Sequence, residues 1–408
     1  MVSFRRWRRA SGDRADARAP VGDLRRSAAV AVIGGGVIGA SVAYHLAKRG
    51  MRDVVILDRG NAPGVGSTGR ATGGYRAQFA TRINVKLSLR SREKLLSFAE
   101  ETGVDSGYSP VGYLWLACND SHLEALHAGR EIQNQEGLTE ARAVSVHQIE
   151  DLNPHISTRG IVGGAFCGSD GYIRPLEILR GYLDAAGRLG VETVWNAECQ
   201  GFDVVDGRVA KVRTSAGDFD AEVVVNAAGP WAAGVARLAG VSLPVWPLRR
   251  QALVTELSEA LPPEMPMTIF MDNGFHLRVR DGRALACWPS EDSSPRTDLD
   301  ADNGWLESVS RMIDERVPAL RGVPVDRAKC YAGLYEMSPD HHAIVGFAPE
   351  CANMFLVNGS SGHGVMHSPA LGEIAADVIC GVEPPIDITD LRPSRFTDGS
   401  VLPPAELL

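Results

Sequence analysis

The segment from residue 29 to residue 58 constrains the fold more than any other part of the chain. An apolar run at residues 29–33 predicts a buried strand, a glycine-rich turn follows, and the pattern continues as a helix to about Arg49. A second apolar run, Val54–Leu57, ends at Asp58. The order of strand, glycine turn, helix, strand and acid predicts a β-α-β unit that binds a dinucleotide.

Three glycines in this turn match the spacing G-x-G-x-x-G, and each has a separate physical task. Gly34 permits the tight turn, Gly36 lets the backbone approach a pyrophosphate at the helix N-terminus, and Gly39 allows the helix to pack closely on the strand. Asp58 lies 19 residues beyond Gly39 and would accept a hydrogen bond from a ribose hydroxyl. The unit does not distinguish NAD from FAD.

The charge of the chain argues against nucleic acid as a partner. The formal net charge is −8 at pH 7 and no long basic run occurs after residue 28, whereas binding to a phosphate backbone requires a basic face. Residues 1–27 are rich in arginine and predict a disordered tail. They lack the apolar segment of a secretory signal, and their Asp residues fit a transit peptide poorly. A misassigned start codon would give the same pattern.

Residues 28–46 are uncharged and long enough to suggest a membrane helix by hydropathy. Four glycines within this run would break such a helix, so we predict no integral membrane segment. The chain has seven cysteines, without a C-x-x-C pair or a metal-binding spacing. We therefore expect reduced thiols, a cytoplasmic location and no metal site.

The middle of the chain contains a helix followed by a β-meander. Pro175 and Gly190 mark the start and the end of the helix. The meander ends in an apolar strand at residues 223–225 that runs into Ala228 and Gly229. A meander that returns to a glycine turn at the carboxyl edge of a sheet is typical of FAD proteins of the glutathione-reductase type.

The composition changes between residue 244 and about residue 323. Prolines and tryptophans cluster there and no β-α-β rhythm remains, which predicts a second, mainly antiparallel domain. The glycine-rich pattern then returns. Residues 369–380 predict a helix with Pro369 in its first turn and Gly381 just past its end.

Three separate pieces of sequence together resemble one family. They are the N-terminal β-α-β unit, the sequence VVNAAGPWA, and GLYEMSPDHHAIVG followed by GSSGHGVMHSPALGE. With these pieces the chain resembles the FAD-dependent amine oxidoreductases of the D-amino-acid oxidase superfamily from residue 28 to about residue 396. GLYEMSPD and SGHGVM resemble the branch that contains the β subunits of sarcosine oxidase and proline dehydrogenase, and dimethylglycine dehydrogenase.

The resemblance implies an α/β fold with a Rossmann-type FAD-binding domain of the glutathione-reductase kind. An α+β substrate domain, mainly antiparallel, would cover the flavin. The FAD-binding domain would comprise residues 28–108, 172–245 and 325–382, and the substrate domain residues 109–171 and 246–324. Residues 383–408 would form a C-terminal extension.

The resemblance also implies a function. The expected enzyme oxidises the C–N bond of a secondary or N-methylated amino acid, such as sarcosine or proline, by hydride transfer to flavin N5 to give an imine. It would belong to the oxidoreductases that act on CH–NH groups. The alternatives are oxidation of a primary D-amino acid or a 2-hydroxy acid on the same fold, and a non-catalytic flavoprotein assembly factor. The expected partners are a small amino-acid or amine substrate and a partner subunit or other electron acceptor.

The loop GSTGRATGGYRAQF, residues 66–79, would pass beside the flavin in this family. Arg76 falls where the sarcosine oxidases place the arginine that binds the substrate carboxylate. Tyr335 is expected to form an aromatic wall, His363 lies in a loop whose N–H groups could point at the flavin, and His276 could face the substrate. A structural ion pair for Arg76, a core position for Tyr335 and an exposed strand position for His276 are the alternatives.

The β-α-β unit and the resemblance together assign the cofactor-binding residues. Ser67 and Thr68 would lie near the phosphates and the ribityl chain. Arg70 would lie over the isoalloxazine or the pyrophosphate, with a solvated surface position as the alternative. The full set is Gly34, Gly36, Gly39, Asp58, Arg59, Ser67, Thr68, Arg70, Ala228, Gly229, Gly333, Gly362, Gly364 and Val365.

Four departures from the family pattern bear on the chemistry. Gly333 stands where monomeric sarcosine oxidases carry a flavin-linking cysteine, and TGRATG has no counterpart of the linking histidine of dimethylglycine dehydrogenase, so we predict non-covalent FAD, with Cys330 as the nearest nucleophile. Met366 replaces a second carboxylate-binding lysine. Monomeric sarcosine oxidase activates O₂ with a lysine of the substrate domain, and residues 281–300 contain no lysine, which predicts slow reaction with O₂.

Overall fold

The computed structural model describes residues 27–289 and 297–403. The predicted tail, residues 1–27, lies outside the described residues except for Ser27, which begins the first strand. Two eight-stranded sheets contain most of the strands. No helix in the described part of the chain has the length and apolar composition needed to span a bilayer.

The secondary-structure elements are numbered in chain order. The strands are β1 (Ser27–Ile33), β2 (Val54–Leu57), β3 (Gly74–Tyr75), β4 (Tyr113–Ala117), β5 (Arg142–Val144), β6 (Gly163–Cys167), β7 (Gly171–Tyr172), β8 (Glu192–Val194), β9 (Cys199–Val205), β10 (Arg208–Thr214), β11 (Gly217–Asn226), β12 (Trp246–Val254), β13 (Met267–Phe270), β14 (His276–Arg280), β15 (Arg283–Cys287), β16 (Tyr331–Met337), β17 (Ile344–Ala348) and β18 (Cys351–Asn358). The helices are α1 (Val37–Lys48), α2 (Arg82–Leu96), α3 (Phe98–Thr102), α4 (Asp120–Gln135), α5 (Val146–Leu152), α6 (Pro175–Arg188), α7 (Ala232–Leu238), α8 (Asn303–Arg316) and α9 (Gly364–Ile379).

The first sheet has the order β17-β18-β11-β1-β2-β8, and the β9-β10 hairpin extends it from β11. β1 pairs in parallel with both β2 and β11, so that Val32 lies opposite Ile56 on one side and Val225 on the other. Central parallel strands are buried on both faces, which explains their continuous runs of Ala, Val and Ile. One face packs against α1, α6 and α9, and the other against α7 and the meander.

The second sheet has the order β16-β12-β15-β14-β13-β4-β6-β5. β13 and β4 pair in parallel, and the other neighbours are antiparallel. Alternate residues of its strands, such as Leu114 and Leu277, pack with Trp305 and Ile313 of α8 on one face. The predicted combination of a parallel α/β unit with a mainly antiparallel second sheet is therefore confirmed. Trp115 lies on the opposite face of the second sheet, where it packs with Ile269.

α9 begins earlier than predicted. The sequence placed Pro369 in the first turn, whereas the helix begins at Gly364 and Pro369 lies inside it. A proline at this position cannot donate to the Val365 carbonyl four residues before it. Ser368 Oγ donates to that carbonyl instead, at 2.9 Å, which allows the helix to continue through the proline.

β16 lies within residues 325–382, a range predicted for the FAD-binding domain, but it pairs with β12 of the second sheet. The pairing extends from Trp246 opposite Met337 to Ala252 opposite Tyr331. β17 and β18, which follow directly, belong to the first sheet. The chain therefore crosses between the sheets after β16, and the domain ranges as a whole stay a prediction.

The C-terminal segment packs on the protein through one buried arginine. The side chains of Arg395 and Asp340 are 0% exposed and are joined by two hydrogen bonds of 2.8 and 2.9 Å. Arg395 also donates to the carbonyls of Leu391 and His342. Burial raises the pKa of the Asp340 carboxyl, but the hydrogen bonds and the charge of Arg395 outweigh burial and hold that pKa below its usual value.

We expect Arg395→Met to lower the free energy of unfolding by about 3–5 kcal/mol, because the substitution leaves the Asp340 carboxylate buried without its partner. In the wild type this stabilisation is present above the unfolded-state pKa of about 3.9 and is lost as the pH falls through the lower folded-state pKa. The difference between the two proteins should therefore shrink in that acidic range. Urea unfolding followed by circular dichroism measures it.

The matched control is Arg392→Met, which removes a more exposed arginine from the same segment. It should change the free energy of unfolding by less than about 1 kcal/mol. Equal effects of the two substitutions would show that the Arg395–Asp340 pair does not anchor the segment.

Candidate active site

Two glycines in the turn between β1 and α1 are required by the chain itself. Gly34 has a φ of +109°, and a Cβ added there would lie 2.3 Å from the Ala227 carbonyl oxygen. A Cβ added at Gly39 would lie 1.9 Å from the Gly34 carbonyl oxygen. Both positions exclude a larger residue whether or not a ligand is present.

Gly36 differs from these two glycines because the chain has room for a side chain there. It precedes α1 in an extended conformation, with φ −72° and ψ 178°. An added Cβ would meet Thr68 Oγ1 at 3.5 Å, which is an ordinary contact. The glycine is therefore explained by a ligand that approaches the backbone at the N-terminus of α1.

Asp58, at the carboxyl end of β2, lies beside the same turn. Its two carboxylate oxygens accept hydrogen bonds from the backbone N–H groups of Gly35 and Gly60, each at 2.6 Å. The guanidinium of the adjacent Arg59 stacks on Trp231, 3.7 Å from the ring centre. The carboxylate thus fixes the glycine turn from the position where a dinucleotide site needs an acid.

The carboxyl end of β11 meets this turn from the other side. Ala228 N donates to Asn226 Oδ1 at 3.2 Å, and a Cβ added at Gly34 would lie 3.1 Å from Ala228 Cα. Gly229 begins the short 3₁₀ helix Gly229–Trp231. The structure therefore brings Ala228 and Gly229 next to Gly34.

The loop of residues 66–79 runs between the two sheets. Val37 N, in the first turn of α1, donates to Thr68 Oγ1 at 3.1 Å. Ser67 Oγ donates to the Leu334 carbonyl of β16 at 2.8 Å. Ser67 and Thr68 therefore lie between the N-terminus of α1 and the second sheet.

Arg70 lies against β16. A Cβ added at Gly333 would be 3.2 Å from Arg70 Cβ, and Arg70 NH1 donates to the Val65 carbonyl at 3.1 Å. Arg70 Nε is buried and has no hydrogen-bond partner within the described residues. Because a buried donor without a partner is costly, this N–H is available to a bound ligand.

A buried arginine of β14 fixes the middle of the loop. Arg278 NH1 donates to the carbonyls of Thr72 and Gly73, both at 2.8 Å. Its guanidinium stacks on Tyr172 at 3.6 Å from the ring centre. Burial lowers the pKa of Arg278 to about 10, so the group remains charged at neutral pH. The loop is thereby attached to the second sheet just before Arg76.

Arg76 is buried, with 4% of its surface exposed. Its guanidinium lies 4.4 Å from the ring centre of Phe79 and 5.0 Å from that of Trp115. Arg76 NH2 donates to Nε2 of His363 at 3.1 Å. Burial lowers the pKa of Arg76 below its ordinary value.

The ring of His363 is neutral when it accepts the hydrogen bond from Arg76. Burial, and then the charge of Arg76, lower the pKa of His363 well below its usual value. Because Nε2 accepts from Arg76, the proton of the neutral ring is on Nδ1. The ring also packs edge-on against Phe79, with the ring centres 4.8 Å apart. His363 therefore orients the guanidinium without neutralising its charge.

Strand register places several polar and aromatic side chains on one face of the second sheet. Residues paired across strands share a face, and so do residues two apart along a strand. Arg250 is paired with Gly333, Ala252 with Cys287, Cys287 with His276, His276 with Ile269, and Ile269 with Trp115. By the same rule Tyr335 lies on this face, which is the one that Arg76 contacts through Trp115.

Tyr335 and His276 line this face between the two ends of the sheet. A Cβ added at Gly362 would lie 2.6 Å from Tyr335 Cε2, so the ring packs on the loop before α9. His276 Nδ1 lies 2.9 Å from the Gly274 carbonyl oxygen. Burial lowers the pKa of His276, and the charges of Arg76 and Arg250 lower it further, which keeps the ring neutral.

Comparison with known proteins identifies the family. The family model described as FAD dependent oxidoreductase (DAO) matches residues 29–378. The chain belongs to this family. Mitochondrial dimethylglycine dehydrogenase of Homo sapiens is 29% identical over 386 residues, which cover 90% of this chain and 44% of that protein. FAD-dependent oxidoreductase domain-containing protein 1 of Xenopus laevis is 28% identical over 414 residues, which cover 88% of this chain and 81% of that protein.

A solved structure of the family has the same fold. L-proline dehydrogenase from P. horikoshii superposes with a TM-score of 0.87 and 27% sequence identity, over 93% of this chain and all of that chain (100%). The predicted superfamily, fold class and FAD cofactor are confirmed. The chain spans less than half of dimethylglycine dehydrogenase (44%), so the activity of that whole protein does not transfer by similarity alone.

The residues of the glycine turn fit an FAD of this family. The open position at Gly36, the acid at the end of β2 and the unsatisfied Nε of Arg70 suit a pyrophosphate and an adenosine ribose. Gly364 begins α9, and Val365 lies in its first turn. The 16-residue helix therefore directs its N-terminal N–H groups toward the loop that contains Gly362.

The predicted site residues fall into two groups in the structure. One group surrounds the N-terminus of α1 and consists of Gly34, Gly36, Gly39, Asp58, Arg59, Ala228, Gly229 and Thr68. The other group meets at the face of the second sheet and consists of Arg76, His363, Tyr335 and His276. Trp115 and Arg250 belong to the second group but were not predicted. The signal for Arg250 was a charged residue within the apolar strand WPLRRQALV.

We expect Gly36→Ala to fold but to lose most of its FAD, because the methyl group would occupy the space in which the pyrophosphate approaches the backbone. The cost to the FAD-free protein should be about 1 kcal/mol, since alanine is a poorer residue than glycine before a helix. The absorbance ratio of FAD to protein after gel filtration measures binding, and thermal unfolding of the FAD-free protein measures stability.

The control is Gly39→Ala, whose Cβ would lie 1.9 Å from a carbonyl oxygen of the chain. This variant should be destabilised even without FAD. A Gly36→Ala protein that retains FAD as the wild type does would refute the assignment of the cofactor to this turn.

Proposed function

We propose that this FAD-dependent oxidoreductase oxidises the C–N bond of a secondary or N-methylated amino acid. The observation that carries the proposal is the position of Arg76, a buried guanidinium held by His363 and packed on Trp115. A guanidinium binds a carboxylate through two parallel N–H donors. The similarity to dimethylglycine dehydrogenase and to L-proline dehydrogenase supports an amino acid with a substituted nitrogen.

The residues around Arg76 would position the substrate and keep it dry. FAD, when bound, supplies the hydride acceptor. Arg76 binds the carboxylate and so fixes the direction of the neighbouring C–H bond. Tyr335 and Trp115 exclude water from the amine, and an environment of low polarity favours the neutral amine, which is the form that can lose a hydride. The N-terminal N–H groups of α9 would stabilise the negative charge that develops on the cofactor.

Other parts of the assignment stay predictions. They include the domain ranges, a partner subunit or electron acceptor, and the cytoplasmic location. A small amino-acid substrate agrees with the family. The absence of lysine from residues 281–300 supports a dye or a protein, rather than O₂, as the faster oxidant.

We expect Arg76→Met to retain FAD but to lose about 2–5 kcal/mol of transition-state stabilisation for amino-acid substrates, because the carboxylate would be buried without a partner. Arg76→Lys should recover little, since a point charge does not reproduce the planar fork. Stopped-flow measurement of anaerobic flavin reduction gives, for each variant, the ratio of the limiting reduction rate constant to the substrate Kd.

The substrate control for Arg76 is a set of amines that lack a carboxylate, for which the loss should be far smaller. An equal loss on both kinds of substrate would contradict the role of Arg76. Failure of every amine and amino acid in the panel to reduce the wild-type flavin would contradict the proposed function and favour a non-catalytic flavoprotein.

Acid precipitation is expected to release the FAD into the supernatant, because Gly333 has no side chain that could form a bond to the flavin. The nearest candidate, Cys330, is a weak nucleophile, since burial raises the pKa of its thiol. Its sulfur lies 3.3 Å from both the Asp326 carbonyl oxygen and Val254 N. Flavin absorbance in the wild-type pellet that disappears in Cys330→Ser would instead demonstrate a covalent link.

A further inference from the structure

Arg250 of β12 is a charged group without a carboxylate partner in the described part of the chain. Within the described residues its guanidinium makes one hydrogen bond, from NH1 to the carbonyl of Arg249 at 3.4 Å. The side chain is half-buried, which partly removes its charge from water and lowers the pKa of Arg250. A partly desolvated cation without a counter-ion is unfavourable, which suits a position where an anion binds from outside the chain.

The preceding arginine shows that this lack of a partner is specific to Arg250. Arg249 has a side chain that is 6% exposed and is paired with Asp298 and Asp302 at 3.2 and 2.9 Å. Because successive residues of a strand point to opposite faces, Arg249 and Arg250 lie on different sides of the sheet. Arg249 forms a structural ion pair, whereas Arg250 lies on the face of the second sheet that carries His276 and Tyr335, called the pocket below.

Arg250 and Arg76 act on the same pocket residues. Arg250 is paired with Gly333 on β16, two residues from Tyr335. Burial raises the pKa of Tyr335, and the charges of both arginines oppose that effect. Burial also lowers the pKa of His276, and both charges lower it further. Strand register puts Arg250, Tyr335 and His276 on one face of the second sheet, and Arg76 contacts the same face through Trp115, so both guanidinium groups lie on the same side of the sheet.

The two arginines enter this pocket from opposite ends. Arg76 packs on Trp115 of β4, whereas Arg250 leaves the sheet from β12. The strand order β12-β15-β14-β13-β4 puts four strand spacings between them, or about 19 Å between backbones. His276 belongs to β14, the middle strand of these five, and so lies between the two positions.

We propose that Arg250 forms a second anion-binding position of the substrate pocket and that the substrate is a secondary amine with two carboxylates, an N-(carboxyalkyl) amino acid. One carboxylate binds Arg76, the other binds Arg250, and the nitrogen lies between them beside His276 and Tyr335. This inference rests on the proposed function, because it names the substrate class of the same site.

Binding of sulfur analogues tests the second position without turnover. Thiodiacetate has two carboxylates and (methylthio)acetate has one, and neither contains the amine that is oxidised. Calorimetric titration of the FAD-loaded wild type should give a Kd for thiodiacetate that is about 10- to 100-fold lower than the Kd for (methylthio)acetate. Arg250→Gln should remove this difference by weakening thiodiacetate alone. Arg208→Gln, which removes the charge of an exposed arginine on β10, should keep the difference.

Oxidation of matched amines tests the same position in the reaction. N-(carboxymethyl)glycine, its mono-carboxamide and N-methylglycine differ only in the group that would meet Arg250. Anaerobic flavin reduction by the wild type should favour the dicarboxylate by at least about 10-fold in the ratio of the limiting reduction rate constant to Kd, and Arg250→Gln should abolish that preference. Arg250→Lys should retain part of it, because a point charge still attracts the second carboxylate.

Two results would overturn the second anion-binding position. One is equal affinity of the wild type for both sulfur analogues, and the other is an equal loss for all ligands in Arg250→Gln together with a lower FAD content, which would assign Arg250 to the cofactor. If monocarboxylic amino acids reduce the flavin and the dicarboxylate does not, the proposed function stands and this inference falls. If no amine reduces the flavin, the proposed function falls and the calorimetric comparison still decides the role of Arg250.

Discussion

The hydrogen bonds from Arg278 to the carbonyls of Thr72 and Gly73 are the interaction on which the site depends. The loop of residues 66–79 starts at the N-terminus of α1 and must reach the face of the second sheet. Few side chains can satisfy two buried carbonyls at once, and an arginine can do so because its guanidinium has five N–H donors. Stacking on Tyr172 at 3.6 Å helps to hold that guanidinium in place. The same contact that joins the loop to the sheet thus sets the position of Arg76, three residues further along the chain.

Sequence patterns predicted the part of the fold that is specified locally. The strand Val54–Leu57 and the helix that begins at Pro175 coincide with their predictions, because hydrophobic period, glycine spacing and proline position act over a few neighbouring residues. The predicted start of α9 was wrong, and the reason is also local. A proline usually marks the start or the end of a helix, because it has no backbone N–H. In α9 the hydroxyl of Ser368 donates to the Val365 carbonyl in place of the N–H that Pro369 lacks. Whether a serine side chain makes that bond depends on its rotamer, which the sequence does not specify.

The sequence predicted site residues that lie within one continuous segment, and it missed residues that strand pairing brings together. Arg76 was found by counting along one loop, whereas Arg250 and Trp115 lie 135 residues apart and reach the same face through strand pairing. A shift of one residue in the register of β12 would turn Arg250 to the other face and bring Arg249 into the pocket. Two adjacent arginines in a strand look alike in sequence. The pairing of β12 with β15 and β16 distinguishes the structural arginine from the one at the site.

The electrostatics of the pocket follow from the same arrangement. Burial and the charge of Arg76 lower the pKa of both His363 and His276, so at neutral pH neither ring adds to the charge that Arg76 and Arg250 bring to this face. Neither histidine therefore adds a titration near neutral pH to the binding of a carboxylate. The cations also disfavour a positively charged nitrogen between them, and burial acts in the same direction, so both effects lower the pKa of a bound ammonium group. The pH dependence of the reaction should then follow deprotonation of the substrate amine, with activity rising as the pH approaches the lowered pKa of the bound amine from below.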